Sequence, residues 1–178
     1  MILDALLSFD PAGTSLANAA GTYDSTNIID LHLINGGIPV LANGQGARDI
    51  GIGDDNMLQL MVLVTTTFTS SGAGTLQVNF QGAPDNGSGA PGSWTTYIST
   101  EVYALAALIA GARLFDIGVP RPPAGVTFPR FLQLTYVIGT ATMTAGQVES
   151  FIVGQRFDQP EITNATLSGY PAGINIAN

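Results

Sequence analysis

The sequence has no cysteine, no lysine and a single histidine, His32. Without cysteine there is no disulfide framework, no thiolate metal site and no thiol nucleophile. Without lysine the glycine clusters at 44–46 and 51–53 cannot be phosphate loops of the GxxxxGK[ST] kind. Charge is also scarce, at 10% of residues against about 25% in a typical soluble domain. The five cations are all arginine and face thirteen carboxylates, for a net charge of −8. Nucleic-acid binding by counterion release needs clustered cations, and five scattered arginines make no basic stripe. An anionic membrane surface would repel the chain for the same reason. Long apolar runs are missing too. The stretches at 102–110 and 57–64, the second broken by Gln59, fall short of the roughly 20 residues a membrane helix needs. The opening MILDALLSFD has no basic n-region and carries Asp4, so it does not read as a signal peptide.

What is there is hydrophobic, glycine-rich and threonine-rich. The chain has 178 residues, 46% of them hydrophobic, and a mean hydropathy of +0.31. That length fits one domain, or a domain plus an arm. It buries about 70% of its unfolded surface, so it needs no metal or disulfide to hold it. The neutral surface that follows from so few charges fits either a Thr/Ser/Asn-coated monomer or a subunit of an assembly.

The hydrophobic pattern is that of β-strands. Residues 75–81 (TLQVNFQ) alternate, with Leu76, Val78 and Phe80 inward and Gln77, Asn79 and Gln81 outward. In 25–33, Ile29, Leu31 and Leu33 share one face, and Ile28, Asp30 and His32 the other. Residues 57–69 are almost continuously apolar and then threonine-rich, as suits a central sandwich strand. Shorter strands are predicted at 94–99 and 113–119. Residues 130–138 and 147–156 flank the turn GTATMTAG and read as a long hairpin. Residues 36–47, 82–93 and 120–129 are glycine- or proline-rich loops. Residues 102–111 (VYALAALIAG) predict two turns of helix with a glycine cap, a buried strand being the alternative. After Arg156 the periodicity ends, and 157–178 reads as an extended arm or a loose tail.

Few residues carry chemistry. His32 and Asp30 share a strand face, as a triad or metal site would require, yet nothing else is present to complete either. Asp49, Asp54, Asp55, Asp116 and Glu149 are the default carboxylates for a two-acid glycosidase, though turn and surface roles are commoner. Asp54-Asp55-Asn56 lacks the EF-hand spacing. Trp94, Tyr97 and Tyr103 are candidates for a sugar-stacking platform, and equally for core. No cofactor or metal is indicated, and no catalytic residue stands out.

Several blocks taken in order resemble a known family. They are MILDALLSF, STNIIDL (25–31), RDIGIGDD (48–55) before an apolar strand, TLQVNFQ, the L-x-x-L-x-x-G of 105–111, and RFLQLTYVIGTATMTAGQV (130–148). Together they are similar to the capsid cement, or decoration, proteins of Bordetella-type short-tailed phages. The resemblance covers about residues 1–155 and rests on the order of the set. It implies a jelly-roll β-sandwich on the outside of an icosahedral head, bound to the major capsid protein, and a homo-oligomer, with a dimer favoured and a trimer possible. It carries no catalytic residues.

The expectation is therefore an all-β, jelly-roll-like antiparallel sandwich over 1–156, with one short helix and an extended C-terminal arm over 157–178. The expected function is structural, at the outer surface of a virion, with no enzyme activity, nucleic acid or membrane involved. A carbohydrate-binding sandwich module is the alternative. Interface candidates are Met1, Ile2 and Leu3 at the N-terminus, and Arg48, Arg121 and Arg130 near loops, since arginine is enriched in interface hot spots. Phe157, Ile162, Leu167 and Tyr170 join them from the arm. A local ion pair is the competing role for the arginines, above all for Arg48 beside Asp49.

Overall fold

The computed structural model describes residues 7–31 and 58–154. They form two antiparallel sheets around one apolar core. The strands are β1 (Ser8–Ser15), β2 (Gly21–Asp24), β3 (Ile29–Asp30), β4 (Leu58–Ser70), β5 (Thr75–Ala83), β6 (Thr95–Ser99), β7 (Tyr103–Ala104), β8 (Arg113–Gly118), β9 (Phe131–Gly139) and β10 (Met143–Gly154). One sheet runs β1-β10-β4-β8. The other runs β2-β9-β5-β6, with β3 also on β9 and β7 also on β5.

Strand alternation places the core as the sequence implies. Leu76, Val78 and Phe80 of β5 face Leu60, Val62 and Val64 of β4 across the sandwich, all in one buried cluster with Ile29 and Leu31. The outward side of β5 builds a polar ladder. Asn79 donates to Thr135, Gln133 to Gln81, and Gln81 in turn to Thr96. Two T-shaped contacts, Phe9–Phe80 and Phe80–Tyr97, fill the space between the layers.

The expected hairpin of 130–138 and 147–156 is instead an arch. β9 and β10 do not pair; they lie in different sheets. Each already has both edges occupied, β9 by β2/β3 and β5, β10 by β1 and β4. Thr140, at φ 66°, reverses the chain between them. The β4–β5 connection makes the matching arch. Ser71 N and Ser70 Oγ both donate to Thr142 O, which ties the two arches together. A long antiparallel ribbon, β4–β5 against β10–β9, thus folds over the core in the manner of a jelly roll.

The expected helix over 102–111 is also absent. Tyr103 and Ala104 pair with β5, and residues Leu105–Ala107 make one 3-10 turn. Helix propensity loses to tertiary bonding here. Leu108 O accepts from Phe68 N, Thr67 Oγ1 from Ala110 N, and Val64 O from Gly111 N, so backbone groups a helix would use are committed to β4. Leu108 is fully buried by that arrangement.

Candidate functional site

Of the three loop arginines, Arg130 is drawn into the protein itself. Arg130 grips Asp30 with two parallel hydrogen bonds, Nε to Oδ1 at 3.0 Å and Nη2 to Oδ2 at 2.9 Å. Its remaining nitrogen, Nη1, donates to Asp85. The guanidinium also lies 4.8 Å from the Phe131 ring centroid, and its side chain is 13% exposed. Asp85 Oδ1 accepts in addition from the amides of Gly87 and Gly89. The Arg130 hydrogen bond, then these amides, hold its carboxyl below the usual carboxylate range. The Asp30 hydrogen bond raises Arg130 above its ordinary value. This clip ties β3, β9 and the 84–92 loop into one rigid corner. Arg130 thus makes ion pairs within its own chain, but with partners 100 and 45 positions away rather than with an aspartate beside it in sequence.

A second polar cluster sits between the sheets. Asp10, 1% exposed, accepts at Oδ1 from Thr26 N and Oγ1, and at Oδ2 from the hydroxyls of Tyr136 and Ser150 at 2.6 Å each. β1 and β10 belong to one sheet and β9 to the other. The carboxylate is therefore an internal tie with all its partners in place. Burial first, and then the Asp10 charge, push the Tyr136 phenol well above its ordinary range, so it stays a donor. Sequence reasoning missed this cluster, because the partners of Asp10, Tyr136 and Ser150, lie 126 and 140 positions away.

The remaining candidates separate. Asp116 pairs with Arg113 on the surface, and Glu149 stands opposite Leu63 on β10. Among the described residues no three His, Cys, Asp or Glu cluster as metal ligands would. Tyr97 packs its ring on the core, and its buried hydroxyl has no hydrogen-bond partner; burial pushes its pKa up to about 12. Tyr103 is half-buried and donates to Leu114 O. Trp94 is half-buried just before β6. Two of the three rings thus serve the core. Arg121 is exposed in the proline-rich loop, which also carries the exposed Phe128. Met1, Ile2, Leu3, His32, Arg48, Asp49, Asp54, Asp55, Phe157, Ile162, Leu167 and Tyr170 lie outside the described residues, as does the arm.

The segment expected to be helical supplies a surface instead. Val102 is 60% exposed and Ile109 55%. Ala104, Ala106, Ala107 and Ala110 are exposed between them. No charged residue falls within 102–112. It is an apolar rim fixed to β4 by the bonds described above, with its backbone committed and its small side chains outward. Such a surface can approach another protein closely without stranding a charge.

No curated protein matches the sequence. The Bbp16 family model matches residues 14–152, a span that runs from within β1 to within β10 and takes in both sheets, the Arg130 clip and the apolar rim. The chain is a member of the Bbp16 family.

Proposed function

We propose that the protein decorates the outside of an icosahedral phage head and cements it by binding the major capsid protein. The observation that carries this reading is the family match across the whole sandwich, under a name that points to a Bordetella phage protein. The architecture supports it. A sandwich of short connections, with the 84–92 loop pinned by the Arg130–Asp85 ion pair, is stiff, as a clamp between capsid subunits must be. The exposed, uncharged rim at 102–112 is the contact we assign to the shell. A net charge of −8 keeps the protein from competing for packaged DNA. Cementing acts by preferential binding to the expanded shell over its compact precursor, and it requires no chemical step. Interfaces of this kind bury roughly 1,600 Å². An oligomer of this chain, with a dimer favoured, would bridge several capsid subunits and gain avidity from that.

The test is to add the purified protein to expanded heads that lack it and record the temperature at which the heads fall apart. A rise with the wild type, absent with the rim variant Val102→Asp/Ile109→Asp, is the expected result. No rise with folded wild-type protein would remove the cement role.

A further inference from the structure

An asparagine followed by glycine is prone to lose its side-chain amide. The glycine's backbone nitrogen attacks the asparagine Cγ and forms a five-membered succinimide. The side-chain nitrogen leaves as ammonia, taking the glycine's amide proton with it. Water then opens the ring to aspartate or isoaspartate. Glycine allows the approach because it has no Cβ and a freely varied backbone. The sequence holds three such pairs, at 35–36, 43–44 and 86–87. The first two lie outside the described residues. The third stands at the exposed tip of the 84–92 loop. Gly87 has φ +92°, and nothing lies within 4 Å of where its Cβ would be. Sequence and exposure alone would make this a fast site.

The groups that must react are nonetheless engaged. Gly87 N, the nucleophile, donates its proton to Asp85 Oδ1 at 2.8 Å. On the carbon under attack, Asn86 Oδ1 accepts from Ser88 N at 2.9 Å, from Ser88 Oγ at 2.7 Å and from Ala90 N at 3.4 Å. These donors resist rotation of the Asn86 side chain. The backbone is tied across the loop as well, Asn86 N to Ala90 O at 2.9 Å and Gly92 N to Pro84 O at 2.8 Å. Asp85 itself is held in place, since Oδ1 also accepts from Gly89 N and Oδ2 from Arg130.

We propose that Asn86-Gly87 is a deamidation site locked by Asp85. The succinimide nitrogen carries no hydrogen, so ring closure must give up the Gly87–Asp85 bond. It also leaves a carboxylate oxygen facing a nitrogen with no proton to offer. Asp85 is a poor base for removing that proton, because Arg130 and two amides hold its carboxyl below the usual carboxylate range. One ordinary hydrogen bond given up on the way to the ring corresponds to roughly fivefold in rate. The inference is independent of capsid binding.

The experiment keeps the full-length protein, a synthetic peptide of residues 82–93, and the folded variants Asp85→Ala and Arg130→Ala in the same neutral buffer. Conversion of Asn86 is followed by peptide mapping with mass spectrometry, which separates it from Asn35 and Asn43. The wild type should convert more slowly than both the peptide and Asp85→Ala, by roughly fivefold and by no less than about twofold. Arg130→Ala leaves Gly87 its acceptor and should convert more slowly than Asp85→Ala. A smaller margin between the wild type and the peptide or Asp85→Ala, or Arg130→Ala as fast as Asp85→Ala, would overturn the inference.

Discussion

Replacing Asp10 with alanine removes the acceptor that joins the two sheets. Thr26 is exposed, so its amide and hydroxyl can turn to water at little cost. Tyr136 and Ser150 are fully buried and cannot. Their two hydrogen bonds to a charged acceptor are worth about 1.5–3 kcal/mol each. Tyr136 can still donate to Ser150, 3.2 Å away, which leaves the serine proton stranded. The relieved desolvation of the carboxylate offsets part of this. The expected loss is about 4 kcal/mol, a large part of the roughly 5–15 kcal/mol that holds a domain folded. Asp10→Asn keeps an acceptor for Thr26 and a polar group toward the two hydroxyls, and should lose about 1–2 kcal/mol. Urea unfolding followed by circular dichroism and the fluorescence of Trp94 measures both. At an m-value of about 2 kcal/mol per molar, the alanine variant should unfold about 2 M earlier. In a double-mutant cycle Tyr136→Phe should couple to Asp10→Ala by at least about 0.5 kcal/mol. A loss below about 1 kcal/mol, or additive effects in the cycle, would refute the view of Asp10 as an inter-sheet tie.

Other expectations follow from the same geometry. Tyr97→Phe removes a buried hydroxyl that bonds to nothing and should stabilise the fold by about 1 kcal/mol; calorimetry showing a lower Tm would contradict this. Tyr97 ionises near 12 rather than 10 in the folded state, so the unfolded chain loses that proton first, and stability should fall as pH rises from 10 toward 12. Absorbance titration of wild type against Tyr97→Phe isolates this phenol. Gly146→Ala should cost more than about 2 kcal/mol, because φ is +140° and a Cβ there would overlap the Phe68 ring; unchanged urea unfolding would show that the ring moves freely. For Asp85 the folded-state pKa lies below its ordinary 3.8. Its contribution is therefore complete above 3.8 and lost as pH falls through the lower folded value. The amide NMR signals of Gly87 and Gly89 should report that loss, and Arg130→Ala should move it back toward 3.8.

The sandwich was legible where one residue type per face decided the outcome. Leu76, Val78 and Phe80 alternate with amides, and period two admits no other reading. β1 was less visible, since Pro11 and Gly13 interrupt it; it survives as an edge strand with irregular register, where missing donors are tolerated. The arch at 139–143 could not be told from a hairpin, because both need the same turn residues and differ only in which edges are already taken. The 102–111 segment misled because local propensity favoured helix while distant partners on β4 claimed its backbone. The polar clusters failed for a related reason. Arg130 finds Asp30 and Asp85 at separations of 100 and 45 residues, which no local spacing announces. The apolar rim, by contrast, was visible as an uncharged run, although its role as surface was not.

The central claim is head binding, and sedimentation tests it most directly. Undecorated expanded heads of the cognate phage are mixed with increasing amounts of the protein, pelleted, and the bound fraction measured. Saturation at a fixed ratio to the major capsid protein, with weaker binding to unexpanded precursor shells, is the predicted result. Protein that stays in the supernatant at every concentration while folded by circular dichroism would contradict it.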